Sequence, residues 1–132
     1  VTIFEKIIAG EIPSYKIAEN EKFLAFLDVF PLKEGHTLVI PKEPVDYIFD
    51  LEDQELAELH IFSKRVANAI TKVIDCKRIG TAVIGLEVPH THIHLVPINN
   101  VGDINFSSNK IVFSEDRMEE IASEIRAAHE AL

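Results

Sequence analysis

The pattern that most restricts the fold is a change of apolar period part-way along the chain. From Asp50 to about Ile74, Leu56, Leu59, Phe62, Val66, Ile70 and Val73 recur at steps of three and four, the stripe of one long amphipathic helix. Glu52, Asp53 and Glu55 near its start and Lys72 and Lys77 near its end complement the helix dipole. On both sides the period falls to two. Tyr15–Ala18 and Lys22–Asp28, joined by Glu19-Asn20-Glu21, read as a hairpin, and Gly35–Lys42 as a third strand. Arg78–Ile84 and His90–Val96 supply the fourth and fifth, separated by a turn at Gly85–Pro89. Thr2-Ile3-Phe4-Glu5 has the form of a capping box, so a short helix carrying Ile3, Phe4, Ile7 and Ile8 opens the chain and ends at Gly10. Ser114 caps a last helix with Met118, Ile121, Ala122, Ile125 and Leu132 on one stripe. Together these elements predict an α+β fold: a five-stranded antiparallel sheet, a long helix inserted between strands 3 and 4, and a C-terminal helix. A length of 132 residues without linker, repeat or low-complexity tract predicts a single domain over 1–132.

Chemistry concentrates at the fifth strand. Half of the six histidines, His90, His92 and His94, sit at alternate positions between Pro89 and Pro97. On a strand they share one face, with next neighbours roughly 6.5–7 Å apart. Neutral imidazole both donates and accepts a proton near working pH, so such a row suits a reactive or anionic group opposite it. His-x-His on a strand is also a recurrent zinc or copper ligand pair, and a merely buried cluster is the third reading. His36, at the head of the third strand, is either a surface residue or, from its place near the end of a strand in a small antiparallel sheet, one that meets the same face. Asp28 ends an otherwise apolar face of the second strand (Leu24, Phe26), either as a functional carboxylate or as a turn residue ahead of Pro31. His60 reads as structural or exposed, and His129 as solvent-facing.

Charge and cysteine content narrow the function classes. A net charge of −9 opposes nonspecific binding to nucleic acid or an anionic membrane, although a local field leaves a small anionic substrate open. The single cysteine, Cys76, forms no intrachain disulfide and no multi-cysteine zinc site; a small buried residue is expected there. No apolar run reaches membrane-spanning length and the given start has no signal-peptide pattern, so a cytoplasmic protein is expected.

Several blocks in one order carry a family resemblance: Ile3-Phe4-Glu5-Lys6-Ile7-Ile8, Gly10-Glu11-Ile12-Pro13, Leu24-Ala25-Phe26-Leu27-Asp28, Gly35-His36-Thr37-Leu38-Val39-Ile40-Pro41-Lys42 and Val88-Pro89-His90-Thr91-His92-Ile93-His94-Leu95-Val96-Pro97. Over roughly the first hundred residues the chain resembles the histidine triad (HIT) superfamily, in its nucleoside-phosphoramidase-like (protein kinase C inhibitor-like) branch. The resemblance implies the HIT-like fold and hydrolysis of purine nucleoside 5′-monophosphoramidates without metal or other cofactor. It implies that His92 attacks the α-phosphorus to form a nucleotidyl-histidine. Its second ring nitrogen would donate to a backbone carbonyl, expected to be that of His90. His94 would donate to the phosphoryl oxygens or the departing group, and His90 and His36 would orient the rings. Asp28 would accept the ribose hydroxyls, and Ile3, Phe4, Ile7, Phe26 and Val29 would sandwich the base; plain core is the competing reading for those apolar positions. A homodimer is the implied assembly, with a purine nucleotide as partner and neither nucleic acid nor membrane. Dinucleoside polyphosphate hydrolysis, as in other branches, and a nucleotide-binding dimer with little activity are the alternatives.

The chain departs from the family pattern beside the triad. Leu86 stands where a glutamine is usual, and Glu87 where a Ser/Thr-type residue touches the phosphate region. Gly80–Gly85 replaces a polar Asn/Gly-rich loop. A carboxylate about 5 Å from a phosphate repels it by roughly 3 kcal/mol at an effective dielectric of 20, before screening. Glu87 therefore either turns outward or meets a cationic leaving group. The two-cysteine zinc motif of some bacterial relatives is absent, so no structural metal is expected.

Overall fold

In the computed structural model, which describes residues 1–132, the helices are α1 (Ile3–Ile8), α2 (Asp53–Val73) and α3 (Glu115–Glu130). The strands are β1 (Lys16–Glu19), β2 (Phe23–Leu27), β3 (Thr37–Pro41), β4 (Arg78–Ala82) and β5 (Ile93–Ile98), and short 3-10 turns occupy Ile48–Asp50 and Val101–Ile104. The five strands make one antiparallel sheet in the order β1-β2-β3-β5-β4. This is the α+β architecture expected from the change of period, with α2 inserted between β3 and β4.

Local chemistry sets the ends of the helices. Thr2 Oγ1 accepts from the Glu5 amide and Glu5 Oε1 from the Thr2 amide, both at 3.1 Å, completing the capping box. The chain leaves α1 through Gly10, whose φ of +78° is costly for a residue with a Cβ. Ser114 Oγ accepts from the Arg117 amide at the start of α3. No helix is long and apolar enough to cross a membrane.

The alternation along β2 separates two cores. Phe23, Ala25 and Leu27 face the larger one, where Leu59, Phe62, Val66 and Ile70 of α2 meet Met118, Ile121, Ala122 and Ile125 of α3. Leu24 and Phe26 point the other way, into a smaller cluster with Phe4 of α1 and with Leu38 and Ile40 of β3. In β5, Ile93 and Leu95 belong to the larger core, whereas His94 lies opposite Leu38 in the β3–β5 ladder and so faces the α1 side. The imidazoles thus line the face that only a two-turn helix covers, which leaves room for a cavity.

Several expectations need correcting. The triad does not lie wholly within a strand: β5 starts at Ile93, and the β3–β5 ladder ends at Val39–Ile93. Beyond that pair β3 presents Pro41, which has no N–H for the ladder, and the Pro41 carbonyl accepts from the His90 ring instead. Thr91 turns away to bond the Val45 carbonyl through both its amide (2.8 Å) and its hydroxyl (2.7 Å). β4 stops at Ala82 rather than Ile84. Leu132 is exposed beyond the end of α3. His129 is half-buried beside Phe62, with a buried Nε2 that lacks a partner, rather than solvent-facing. Cys76, half-buried at the exit from α2, is less enclosed than expected.

Candidate active site

A cavity of about 320 Å³ opens on the α1 side of the sheet. Of the residues singled out in the sequence, Phe4, Asp28, His36, Leu86, Glu87, His92 and His94 line it. His90 stands behind the wall, fully buried, and touches the site through its neighbours. The remaining apolar candidates are placed elsewhere. Phe26 is packed in the smaller core and Ile7 lies against it, while Ile3 and Val29 are exposed; none of the four lines the cavity. Leu38 and Val88, which sequence reasoning passed over, supply apolar wall in their place. Phe106 and Lys110 were also missed, because Asn99–Lys110 reads simply as a polar loop. A lone phenylalanine in such a loop was the signal available.

Hydrogen-bond partners assign the proton on each ring. The Leu32 amide donates to His36 Nδ1 at 3.0 Å, so the His36 proton sits on Nε2. That Nε2 lies 3.0 Å from His94 Nδ1 and donates to it, which leaves His94 with its own proton on Nε2. His92 Nδ1 lies 2.7 Å from the His90 carbonyl, an acceptor only, so in the neutral ring the proton sits on Nδ1 and the lone pair on Nε2. His90 Nε2 donates to the Pro41 carbonyl at 2.7 Å, and its buried Nδ1 has no partner. The outcome is two adjacent rings, centroids 5.0 Å apart, of opposite character. At its free Nε2, His92 offers a nucleophile or base and His94 a donor.

Burial keeps this relay neutral. It pushes the His36 pKa down to about 3, assisted by the neighbouring His94, and that of His94 down to about 4, assisted by His92. His90 is lowered for the same main reason, partly offset by its bond to the Pro41 carbonyl. The Phe4 ring packs edge-on against His92, with centroids 5.0 Å apart, and Phe106 against His94 at 4.6 Å.

Asp28 sits just beyond the end of β2 with its side chain largely buried. Its Oδ1 accepts from the Phe30 amide at 2.9 Å, and its Oδ2 lies 3.6 Å from His36 Nε2. Burial raises its pKa, opposed by the Phe30 amide and reinforced by Glu87. Such a carboxylate has lost water and keeps lone pairs free, which favours hydroxyl donors from a ligand. Glu87 is exposed at the cavity rim. Asp28, His36 and His94 each bring a possible metal-ligand atom within 4.8 Å of the others. A cation there would have to displace the proton that His36 shares with His94.

The HIT domain family model matches residues 9–101, which include every cavity-lining histidine and Asp28. The chain belongs to the HIT domain family. A HIT-like protein of Borreliella burgdorferi, itself uncharacterized, is 35% identical over 131 residues, spanning 93% of this chain and 94% of that one. The adenosine 5′-monophosphoramidase of Schizosaccharomyces pombe is 37% identical, with 74% of each HIT chain covered. Among solved structures, a HIT-like protein from Bartonella henselae superposes with a TM-score of 0.84 at 32% identity, over 96% of this chain and 95% of that one. A zinc-bound histidine triad family protein from Mycobacterium smegmatis gives 0.82 at 30% identity, covering 98% and 93%.

Proposed function

We propose that this HIT protein hydrolyses purine nucleoside 5′-monophosphoramidates through a nucleotide carried on His92. The observation behind the reading is the opposed proton states of His92 and His94 at one cavity. The bare His92 Nε2 attacks the α-phosphorus as the bond from phosphorus to the substrate nitrogen breaks, while the His90 carbonyl holds the Nδ1 proton as the ring becomes cationic. The substrate nitrogen takes a proton from solvent and departs as the amine, a proton given back when water later attacks. His94 Nε2–H donates to the phosphoryl oxygen as negative charge builds there. His36 and the Leu32 amide keep that donor in place. Water then cleaves the phosphorus–nitrogen bond to His92 and releases the nucleoside monophosphate. Asp28 accepts the ribose hydroxyls, and Phe4, Leu38 and Val88 pack on the base. The exposed Glu87 stands where an ammonium-bearing leaving group would pass. Resemblance to the adenosine 5′-monophosphoramidase supports the same substrate class.

The reaction drawn this way uses no metal, because the His36–His94 pair already holds its shared site with a proton. Turnover of an adenosine 5′-phosphoramidate should persist in excess chelator and vanish in His92→Ala, with AMP affinity kept within about a few-fold. Wild-type turnover no faster than His92→Ala would reduce the protein to a nucleotide binder. Preference for a diadenosine polyphosphate would move it to the other hydrolase branch.

The working unit we propose is a homodimer. β4 is an open sheet edge, and Tyr47, Phe49, Val83, Ile84 and Leu86 are large apolar side chains exposed beside it. Sedimentation equilibrium reporting twice the chain mass supports that unit; a monomer at micromolar concentration removes it.

A further inference from the structure

The cavity's charge balance is unfavourable for the ligand just proposed. Asp28 and Glu87 are carboxylates, and His36 and His94 are held neutral. A nucleotide adds further negative charge. Lys110 is the one lysine or arginine in the wall. It enters from the loop between β5 and α3, and none of the protein's ion pairs includes it.

That loop is built to present it. At the near end, Asp103 Oδ2 accepts from the amides of Asn99 (2.8 Å) and Asn100 (3.2 Å), and Oδ1 pairs with Lys33 at 3.2 Å. At the far end, the Ile111 amide donates to the Pro31 carbonyl at 2.9 Å, tying the loop to the turn that follows Asp28. Between them Phe106 rests on His94. Lys110 Nζ donates to the carbonyls of Phe106 (2.7 Å) and Ser108 (3.2 Å). An ammonium has three donors, so one is left for a ligand. The charge is therefore fixed in place before binding, which lowers the entropy lost when it engages a partner. Its field reaches Asp28, whose ionisation it favours, and His36 and His94, whose protonation it opposes.

We propose that Lys110 is the phosphate-binding cation of this site: it pairs with the α-phosphoryl oxygens and makes the cavity choose a nucleotide over the corresponding nucleoside. The proposal rests on the reading of the cavity as a nucleotide site. It assigns to the β5–α3 loop the charge compensation that Leu86, Glu87 and the apolar Gly80–Gly85 segment do not provide.

The test is calorimetric titration of AMP and of adenosine into wild type, Lys110→Met and Lys110→Arg at low and moderate salt. AMP should bind Lys110→Met about tenfold more weakly than wild type at low salt, the order expected for losing one exposed charge-assisted contact. Adenosine affinity should stay within about twofold, Lys110→Arg should recover most of the AMP loss, and the salt dependence of AMP binding should flatten in Lys110→Met. Equal losses for AMP and adenosine would mean that Lys110 only supports the loop, and an unchanged AMP affinity would mean that it does nothing for the phosphate. Either result overturns the proposal while leaving the nucleotide site standing. A wild type that binds neither ligand overturns the nucleotide reading and this proposal with it.

Discussion

Replacing Asp28 by asparagine separates what the carboxylate does for the ligand from what it costs the fold. The substitution is nearly isosteric, and Asn Oδ1 can still accept from the Phe30 amide, which now bonds Asp28 Oδ1 at 2.9 Å. The negative charge is what disappears. Bonds to an ionised acceptor contribute about 1.5–3 kcal/mol, against about 0.5–1.5 kcal/mol for neutral pairs. Two ribose hydroxyls therefore lose about 2–3 kcal/mol between them, or roughly 30- to 150-fold in kcat/KM for an adenosine 5′-phosphoramidate. A 2′-deoxy substrate makes only one of those bonds and should lose about the square root of that factor. Stability should move the other way. Burial raises the Asp28 pKa in the folded protein above its value in the unfolded chain, so its contribution to stability is present at low pH and lost as the carboxyl ionises. At pH 7 the asparagine variant, which has no charge to bury, should unfold at higher urea, and the difference should shrink as the pH falls through the carboxylate range. Equal losses for ribo and 2′-deoxy substrates, or a lower urea midpoint at pH 7, would refute the role given to Asp28.

Gly35→Ala should cost about 2–3 kcal/mol in urea denaturation, because a φ of +89° strains any Cβ and the added atom would lie 2.8 Å from Ile74 Cγ1; a loss below about 0.5 kcal/mol would show that the turn before His36 adapts freely. Acid should destabilise the protein from pH 6.5 downward. The folded pKa values of His36 and His94, about 3 and about 4, lie below the ordinary 6.5, so stability is full above 6.5 and each ring withdraws about 1.4 kcal/mol per pH unit below it. Chemical denaturation at pH 6.5 and pH 5 checks this, and a flat profile contradicts the neutral relay. Thr91→Val removes the hydroxyl that bonds the Val45 carbonyl at 2.7 Å, and should cost about 1 kcal/mol of stability and lower kcat several-fold with KM little changed, since it frees the backbone beneath His92. Stopped assays that find KM rising instead would place Thr91 in binding.

Fold and site were legible in the sequence to different depths. The helices could be read because capping and apolar stripes are local: Thr2, Gly10 and Ser114 mark termini whatever the rest of the chain does. The two faces of β2 followed from alternation alone, and they already placed Asp28 and Phe26 on one side. The start of β5 was misjudged because periodicity cannot see the neighbouring strand. Pro41 ends the ladder from β3, forty-nine residues away from His90 in sequence. The hydrogen bond from His92 Nδ1 to the His90 carbonyl was anticipated. By contrast, the Leu32–His36–His94 relay depends on a turn and a strand pairing that no local pattern records. Ile3, Ile7, Phe26 and Val29 were assigned to the base through the family resemblance, and a matching apolar position does not distinguish a packed or exposed side chain from a cavity wall. Lys110 escaped notice because its meaning comes from where the loop is tied down, at Asp103 and Pro31.

The most direct measurement is intact-protein and peptide mass spectrometry on enzyme mixed with an adenosine 5′-phosphoramidate and quenched within a turnover. The account predicts a transient adenylate mass on the peptide holding the triad, localised to His92 by fragmentation and absent in His92→Ala. An adenylate found on another residue, or none at any time while product accumulates, would contradict it.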